Sequence, residues 1–337
     1  MSALPSRALG RTGLNVSVLG FGGAPLGESH ARYPEDQAIG AITTALALGI
    51  TMFDTSPLYG HGMSEHRFGT ALRQVPRDSF VLSTKVGRWT DPRIAEGKPG
   101  SVGGFKHKAF FDYSYDGAMK SFEQSLLRLG LNSVDLLFIH DVDVWTHGKD
   151  MIEQRFREAM DGAYRALARL REEKVIRGIG IGVNEADMCE RFARAGDFDV
   201  MMLAGRYTLL EQGALDIFLP TAVEKKIAIL IAGAFNSGIL ATGPRPNALY
   251  NYKPAPEDIL ERVRRIEAVC KRHGVELPRA AMQFPLAHPA VASVVLGAVH
   301  PDEVRRNIDQ LARPVPSALW AELKAQGLLA AHAPTPA

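Results

Sequence analysis

The sequence predicts one closed (β/α)8 barrel, of the TIM-barrel class, with an N-terminal β-hairpin and long loops at its C-terminal face. Three observations predict it: eight short runs rich in Val, Ile and Leu, a helical pattern after most of them, and 337 residues of 46% hydrophobic composition. Strand–helix alternation is typical of a parallel sheet, and eight units favour a barrel over an open doubly wound sheet. The predicted strands are Val18–Gly22, Thr51–Asp54, Phe80–Lys85, Val134–His140, Ile176–Gly182, Val200–Leu203, Ile227–Ala232 and Ala292–Leu296.

Before the first barrel strand, two short segments flank a turn-forming sequence. Arg7–Leu9 and Asn15–Ser17 lie on either side of Gly10–Gly13. This pattern predicts a β-hairpin that closes the lower end of the barrel.

Three long segments have the period of amphipathic helices and are expected in the outer ring. The first has Glu35 and Asp36 where a helix N-terminus favours negative charge, and Gly49 where the helix would end. The three helical segments are the one after Pro34, Tyr115–Leu129 and Arg155–Lys174.

Two connections are too long for ordinary loops of a barrel. Gly87–Tyr113 and Ala241–Pro256 both follow the C-terminal ends of strands, where barrel enzymes carry their sites, so they are candidate walls of a substrate pocket. One domain is expected over residues 1–329, and residues 330–337 are expected to form a flexible tail.

Charge and composition exclude several classes of protein. The 39 Lys and Arg residues nearly balance the 37 Asp and Glu residues, so no excess charge is available to hold nucleic acid or an anionic membrane. No apolar run suits a signal peptide or a membrane span, which favours a cytoplasmic location. Cys189 and Cys270 lack partners at metal-binding or redox spacing, and two reduced thiols are expected rather than a disulfide or metal site.

Four polar residues stand at or just beyond the ends of three consecutive barrel strands: Asp54, Tyr59, Lys85 and His140. Each alone has an ordinary structural explanation, as a helix cap, a loop packing residue, a strand end or a hydrogen-bonded rim. Because the C-terminal ends of barrel strands converge on one face, the four together indicate a pocket.

The side chains of this set permit acid–base chemistry. A buried ammonium such as Lys85 would lower the pKa of a neighbouring tyrosine, here Tyr59, from its usual value of about 10. Asp54 would keep Lys85 charged, and His140 could hydrogen-bond a substrate oxygen. No metal ligand set, serine-esterase elbow or phosphate-binding P-loop is present in the sequence.

Three motifs resemble those of the aldo-keto reductase superfamily: FDTSPLYG at Phe53–Gly60, LSTK at Leu82–Lys85 and LLFIHD at Leu136–Asp141. RALGRTGLNVS at Arg7–Ser17 and LGAVHPDEVRRN at Leu296–Asn307 extend the resemblance over nearly the whole chain.

This resemblance implies a (β/α)8 barrel, an Asp54, Tyr59, Lys85 and His140 catalytic tetrad, and direct hydride transfer with a nicotinamide dinucleotide bound without a Rossmann domain. It also implies a set of cofactor-binding residues, namely Gly22, Gly23, Asp54, Asn184, Asn236, Ser237, Gly238, Leu240, Gly297, Glu303, Arg306 and Asn307.

The glycine-rich run Gly178–Asn184 lacks the spacing of a Rossmann loop, and its small residues are expected to make room for the cofactor. By resemblance Asn184 holds the nicotinamide carboxamide. Ala204 stands where the family usually has a Gln, so the second carboxamide contact departs from the family pattern.

NAD is the preferred cofactor, and NADP is possible. Where NADP-dependent members place cations for the 2′-phosphate, this sequence has Gly297, Ala298, Val299 and Glu303, and a carboxylate there would repel a phosphate and could accept from a ribose hydroxyl. Arg305 or Arg306 could instead turn toward a phosphate.

Further segments resemble one branch of the family, the D-threo-aldose 1-dehydrogenases, also called L-fucose dehydrogenases, and the pyridoxal 4-dehydrogenases. These segments are Phe111–Gly117, His140–Asp143 and Phe235–Leu240. The resemblance implies oxidation of the C1 hemiacetal of L-fucose, D-arabinose or a similar aldose to a lactone, with pyridoxal as an alternative substrate.

Asp141 is then a candidate partner for a sugar hydroxyl. Trp89, Phe111, Trp145 and Phe235 are candidates to stack on a substrate ring, although packing of the long loops explains each equally well. Two other functions stay open, a general NADPH-dependent aldehyde or ketone reductase and a regulatory subunit that senses its bound cofactor. Nothing in the sequence indicates the oligomeric state.

Overall fold

The computed structural model describes residues 4–29, 31–95 and 102–336. Its centre is a closed parallel barrel, as predicted. Along the described residues the strands are β1 (Ser6–Ala8), β2 (Asn15–Ser17), β3 (Leu19–Gly22), β4 (Met52–Asp54), β5 (Val81–Val86), β6 (Arg88–Ala95), β7 (His107–Phe111), β8 (Leu136–His140), β9 (Gly178–Val183), β10 (Val200–Ala204), β11 (Ala228–Ala232), β12 (Leu249–Tyr250), β13 (Lys253–Pro254) and β14 (Val291–Gly297).

The barrel runs β3, β4, β5, β8, β9, β10, β11 and β14, and β14 pairs with β3 to close it. These are the eight predicted strands. The register sets Asp54 beside Gly22 and Ser83, and His140 beside Gly182. Polar residues that end separate strands are therefore brought to one rim of the barrel.

The helices pack outside the barrel, where their apolar faces cover the strands. Along the described residues they are α1 (Glu35–Ala47), α2 (Met63–Leu72), α3 (Tyr115–Leu129), α4 (Val144–Glu158), α5 (Tyr164–Glu172), α6 (Ala186–Ala195), α7 (Ala214–Ile217), α8 (Leu219–Glu224), α9 (Ile239–Thr242), α10 (Glu257–Arg272), α11 (Leu277–Leu286), α12 (Pro301–Ala312) and α13 (Ser317–Ala325). Short 3-10 turns cover Ala24–Gly27, Tyr59–Gly62 and Arg77–Ser79.

The helix predicted over Arg155–Lys174 starts earlier than expected. α4 begins after Asp143, whose carboxylate caps it by accepting from the Thr146 N–H, and a π-helical turn at Ala159–Ala163 joins α4 to α5. The prediction missed this start because the first turns of α4 are mostly exposed and carry little apolar periodicity.

The N-terminal hairpin closes the lower end of the barrel, as predicted. β1 and β2 pair antiparallel, and Leu9 and Val16 are fully buried in an inner cluster with Met52, Leu136 and Val200. The barrel therefore has a packed floor, and its opening is at the opposite face.

The two long segments predicted as loops contain hairpins, which corrects their assignment. In the first, β6 pairs antiparallel with β7, and Trp89 stacks on its cross-strand partner Phe110 with ring centroids 4.7 Å apart. In the second, β12 pairs with β13 around a two-residue turn, Asn251 and Tyr252, both of which have positive φ. Aromatic cross-strand pairs stabilise such ribbons, and Gly and Pro hid the strand pattern in the sequence.

The chain after α13 packs against the rest of the domain, where Leu328 and Leu329 are buried. Within the segment expected to form a flexible tail, Ala333 is buried and His332 Nε2 lies 3.0 Å from Asp216 Oδ1. Both cysteines are buried and unpaired. Among the described residues, no helix is long and apolar enough to cross a membrane.

Candidate active site

A buried ion pair forms the base of the site. Lys85 Nζ donates to Asp54 Oδ2 at 2.7 Å, to Asp54 Oδ1 at 2.9 Å and to the Thr55 carbonyl at 2.8 Å. Ser83 Oγ donates to Asp54 Oδ1 at 2.7 Å. Burial raises the pKa of Asp54, and the charge and hydrogen bond of Lys85 act against that rise. β4 and β5 are neighbours, so the barrel register itself places the two side chains together.

Tyr59 lies on the 3-10 turn after β4, and its ring centroid is 4.7 Å from Lys85 Nζ and 6.0 Å from the His140 ring. The expected lowering of its pKa is wrong for the free protein. Burial raises the pKa of Tyr59 well above 10, and the charges of Asp54 and Asp141 add to the rise. The charge of Lys85 does not overcome this rise, because its three N–H groups donate to Asp54 and Thr55 and the Asp54 carboxylate largely balances its charge.

His140 ends β8, and polar side chains lie near both nitrogens of its ring. Its Nδ1 lies 3.2 Å from Ser56 Oγ and 3.3 Å from Arg88 Nη1, while its Nε2 lies 3.5 Å from Asp141 Oδ1. Burial, Arg88 and Lys85 hold the pKa of His140 well below its usual value of about 6.5. The imidazole is therefore neutral at physiological pH.

A pocket of about 270 Å³ opens above these side chains at the C-terminal face of the barrel. It brings together six of the residues proposed from the sequence: Tyr59, Lys85, His140, Asp141, Trp145 and Asn184. Asp54 sits directly beneath, bonded to Lys85. The described lining is Ala24, Leu58, Tyr59, Lys85, His140, Asp141, Trp145, Thr146, Gly182, Val183, Asn184, Met202, Ala204, Ala232 and Tyr252.

Two residues at the site escaped sequence analysis, both on the hairpins. Arg88 starts β6, is buried, and forms an ion pair of 2.8 Å with Asp141. Tyr252 occupies the β12–β13 turn and reaches the pocket, where its ring centroid is 6.4 Å from that of Trp145. The only signal for Arg88 is a charged residue three positions after Lys85, and the signal for Tyr252 is an aromatic residue between two Pro-rich stretches.

Three of the proposed substrate-stacking residues, Trp89, Phe111 and Phe235, lie outside this pocket and pack within the protein, the alternative that the sequence left open. Trp89 is on the outer face of β6, because side chains alternate along a strand and Arg88 points inward. Its ring stacks on Phe110, and Lys120 Nζ lies 3.0 Å from the ring centroid. Phe111 packs against the Arg88 guanidinium and His147 rather than lining the pocket. Phe235 packs on the main hydrophobic core.

The comparison with known proteins identifies the family. Residues 18–326 match the Aldo/keto reductase family. The chain belongs to this family. It is therefore an oxidoreductase of a family that uses NAD(P)H.

Two curated relatives in this family are similar over almost their whole length. The chain is 40% identical to a pyridoxal 4-dehydrogenase of Microbacterium luteolum, covering 98% of this chain and 99% of the relative. It is 38% identical to a D-threo-aldose 1-dehydrogenase of a Pseudomonas species, covering 98% of both. Among solved structures, an aldo-keto reductase from Bacillus halodurans in its holo form superposes with a TM-score of 0.75 at 25% identity, covering 97% of each chain.

The pocket of this aldo-keto reductase fits a nicotinamide ring. Ala24, Gly182, Ala204 and Ala232 line it with small side chains that leave room for a flat group, and Asn184 brings a carboxamide to the same lining. Ala204 lies at the end of β10. An amide of this kind can both donate to and accept from a ligand carboxamide.

The glycines of β9 have different roles, which corrects the expectation that the whole run makes room for cofactor. A Cβ at Gly178 would lie 2.7 Å from Thr12 Cγ2, and one at Gly180 would lie 1.8 Å from the Val200 carbonyl oxygen. Gly182 is the one that lines the pocket, near Lys85 and His140. Gly178 and Gly180 therefore make room for barrel packing.

The segment after β11 offers less to a ligand than the resemblance implies. Asn236 is buried, with Oδ1 accepting from Thr208 Oγ1 at 2.7 Å and Nδ2 donating to the Gly205 carbonyl at 3.1 Å. Leu240 is fully buried in the core. Their side chains are thus engaged within the protein. Ser237 Oγ accepts from the Tyr252 N–H at 3.0 Å, and Gly238 has φ of 98°.

At the far end of the predicted cofactor groove, the Glu303 carboxylate is used for helix capping. It accepts from the Val299 N–H at 2.8 Å and the His300 N–H at 3.3 Å, which completes a capping box at the start of α12. Its expected bond to a ribose hydroxyl competes with these two bonds. The remaining predicted positions lie at the β3 and β14 ends and on α12: Gly22, Gly23, Gly297, Arg306 and Asn307.

Proposed function

We propose that this protein is an NAD-dependent dehydrogenase that oxidises the C1 hemiacetal of an aldose to a lactone. The observation that carries the proposal is the grouping, in one pocket, of Tyr59, the Lys85–Asp54 pair and the neutral His140 beside the Asp141 carboxylate. A neutral imidazole donates to the reacting oxygen, and a carboxylate suits a substrate that carries further hydroxyl groups. The similarity to a D-threo-aldose 1-dehydrogenase supports the same reaction.

The residues divide the work according to their contacts. A bound NAD⁺ supplies the acceptor for the hydride that leaves C1, and Asn184 with the small residues around it would hold the ring. His140 orients the anomeric oxygen, and Tyr59 Oη takes the proton of the anomeric hydroxyl as the carbonyl bond forms. Lys85, held by Asp54 beneath the Tyr59 ring, stabilises the phenolate that accepts this proton.

NAD is proposed over NADP because the end of β14 and the start of α12 combine an exposed Gly297 with the acidic Glu303. Arg305 Nη1 donates to Asp302 Oδ1 at 3.0 Å. This contact supports the view that the Arg305 side chain does not bind a 2′-phosphate. The ratio of kcat/KM for NAD⁺ to that for NADP⁺ should be well above one. A strong preference for NADP⁺ would overturn the proposal for the cofactor.

Pyridoxal is the second candidate substrate, since the chain is 40% identical to a pyridoxal 4-dehydrogenase over nearly its full length. Pyridoxal also forms a cyclic hemiacetal, so the same acid–base groups apply. Trp145 and Tyr252 at the pocket mouth would accommodate its aromatic ring.

The experiment follows NADH formation with NAD⁺ and L-fucose, D-arabinose, L-galactose, L-glucose or pyridoxal, with the Tyr59→Phe variant as the inactive control. Selective turnover of aldoses supports the proposal, and turnover of pyridoxal alone replaces it with the second candidate. The absence of NADH formation with every compound in the panel contradicts both candidate functions. It would favour a general NADPH-dependent reductase, or a cofactor-sensing subunit if cofactor stays bound through purification.

A further inference from the structure

Arg88 connects two polar groups of the pocket. Its Nη1 lies 3.3 Å from His140 Nδ1, and its Nη2 lies 2.8 Å from Asp141 Oδ2. The guanidinium is buried, and its carbon lies 4.2 Å from the centroid of the Phe111 ring. A planar fork with fixed donors is suited to hold two partners at once.

The contacts of Arg88 decide which nitrogen of His140 carries the proton. Arginine has donors and no acceptor, so Nδ1 must accept. Ser56 Oγ accepts from the Leu58 N–H and can use its own proton toward the same Nδ1. The single proton of the neutral ring is therefore on Nε2, the nitrogen on the Asp141 side.

The same guanidinium holds Asp141 at the pocket. Asp141 has φ of 56°, an uncommon backbone conformation for a residue other than glycine, and its N–H donates to the Gly182 carbonyl at 2.9 Å. With Oδ2 bound to Arg88, Oδ1 lies 3.5 Å from His140 Nε2. A hydrogen-bond donor and an acceptor thus stand side by side in the pocket lining.

We propose that Arg88 is a positioning residue that fixes His140 as an Nε2–H donor and Asp141 as an adjacent acceptor. The pocket then selects substrates with a hydroxyl on the carbon next to the reacting carbon. The reacting oxygen accepts from His140, and the neighbouring hydroxyl donates to Asp141. This inference deepens the proposed function and rests on it for the substrate, while the state of His140 can be tested without turnover.

Several charged or titratable groups face the His140 ring and enter the interpretation of any pH effect. Lys85 comes from β5, Arg88 from β6, Tyr59 from the turn after β4, and Asp141 from the end of β8. Tyr113, which donates to the His140 carbonyl at 2.8 Å, approaches from the segment before α3. Arg88 is the cation in contact with the ring, so its removal should affect His140 most.

The first test records ¹⁵N spectra of histidine-labelled protein, with His140 assigned through a His140→Gln variant. We expect the neutral tautomer with the proton on Nε2 in the wild type, and a change of tautomer or titration at higher pH in Arg88→Gln. Arg128→Gln is the matched control, since Arg128 forms a buried ion pair of 2.5 Å with Glu65 outside the pocket. An Nδ1 proton in the wild type, or an unchanged His140 in Arg88→Gln, would overturn the proposal.

The second test compares kcat/KM for L-fucose and 2-deoxy-L-fucose. We expect the wild type to prefer L-fucose by about 100-fold or more, because a missing hydroxyl leaves Oδ1 of the pocket-lining Asp141 carboxylate without a substrate donor. Arg88→Gln and Asp141→Asn should reduce this ratio to less than about tenfold, and Arg128→Gln should preserve it. An unchanged ratio in Arg88→Gln contradicts the inference. If the wild type oxidises no hemiacetal, the proposed function fails while the ¹⁵N result still decides the role of Arg88.

Discussion

At the scale of single residues, Tyr59 is the group on which the chemistry depends. The centroid of its ring lies 4.7 Å from Lys85 Nζ, but all three N–H groups of Lys85 donate to Asp54 and Thr55. Lys85 therefore influences the Tyr59 phenol through the electrostatic effect of its charge. In the free protein, burial raises the pKa of Tyr59 by more than this electrostatic effect lowers it, so Tyr59 is a phenol at neutral pH.

Replacing Tyr59 with Phe should remove the proton acceptor and leave the shape of the pocket nearly intact. We expect kcat to fall by at least about 100-fold, the usual contribution of a positioned acid–base group. Binding of NAD⁺, measured by quenching of protein fluorescence, should change little. Turnover close to that of the wild type would show that another group handles the proton.

The raised pKa of Tyr59 also sets the direction of the pH dependence. Oxidation needs the phenolate as proton acceptor, so its kcat/KM should increase with pH from neutrality to about pH 10. Reduction of an aldehyde needs the phenol as proton donor, so its rate should not increase over that range. Parallel initial rates in both directions check this, and an oxidation rate that decreases above neutral pH contradicts it.

Sequence reasoning found the residues that end barrel strands and missed those on the hairpins, for a physical reason. Asp54, Lys85 and His140 each follow an apolar run whose end is visible in the sequence, and parallel strand ends converge. Arg88 and Trp89 are neighbours on β6, and only the pairing with β7 determines which of them faces His140 and Asp141. That register depends on the tertiary structure, so the prediction chose Trp89 and overlooked Arg88.

At the scale of elements, β9 shows how packing decides the use of small residues. Gly180 pairs with Phe138 on one side and Val200 on the other, and both neighbours are buried. A Cβ there would lie 1.8 Å from the Val200 carbonyl oxygen and 2.7 Å from the Phe138 ring. The glycine is thus required by the closeness of adjacent backbones within the barrel.

Gly180→Ala should therefore destabilise the barrel by about 3 kcal/mol or more, as overpacking against backbone cannot be relieved by a side-chain rotation. The matched control is Gly213→Ala, where φ is −56° and no atom lies within 4 Å of the added Cβ. The control should stay within about 0.5 kcal/mol of the wild type or gain stability. Urea unfolding of the three proteins makes the comparison, and equal effects of the two substitutions would contradict this account of β9.

At the scale of the whole molecule, the barrel is packed at its lower end and open at its C-terminal face. Leu9 and Val16 close one end. At the other end, one hairpin places Tyr252 in the pocket lining and the other places Arg88 against His140 and Asp141. The barrel could be predicted from its eight apolar runs, since burial on both faces of a parallel strand leaves a strong signal. The hairpins could not, because their short strands are partly exposed and carry Pro and charged residues.

Stability should decrease as the pH falls below about 6.5, the ordinary histidine pKa. Among the residues that the structure describes, five histidines have a lowered pKa with burial as the largest cause: His66, His107, His140, His147 and His288. The unfolded chain binds protons at these positions before the folded protein does, so acid favours unfolding. Tm measured between about pH 7.5 and 5 should fall steadily, and a constant Tm over this range contradicts the expectation.

Direct hydride transfer from a hemiacetal carbon is the central claim, and one measurement tests it most directly. The protein is supplied with NAD⁺ and L-fucose that carries deuterium at C1, and the products are analysed by mass spectrometry. The account predicts that the deuterium appears in the reduced nicotinamide cofactor and that the sugar product is the lactone. Reduced cofactor without deuterium, or an oxidised sugar product that still carries the deuterium, would contradict transfer from C1 in this pocket.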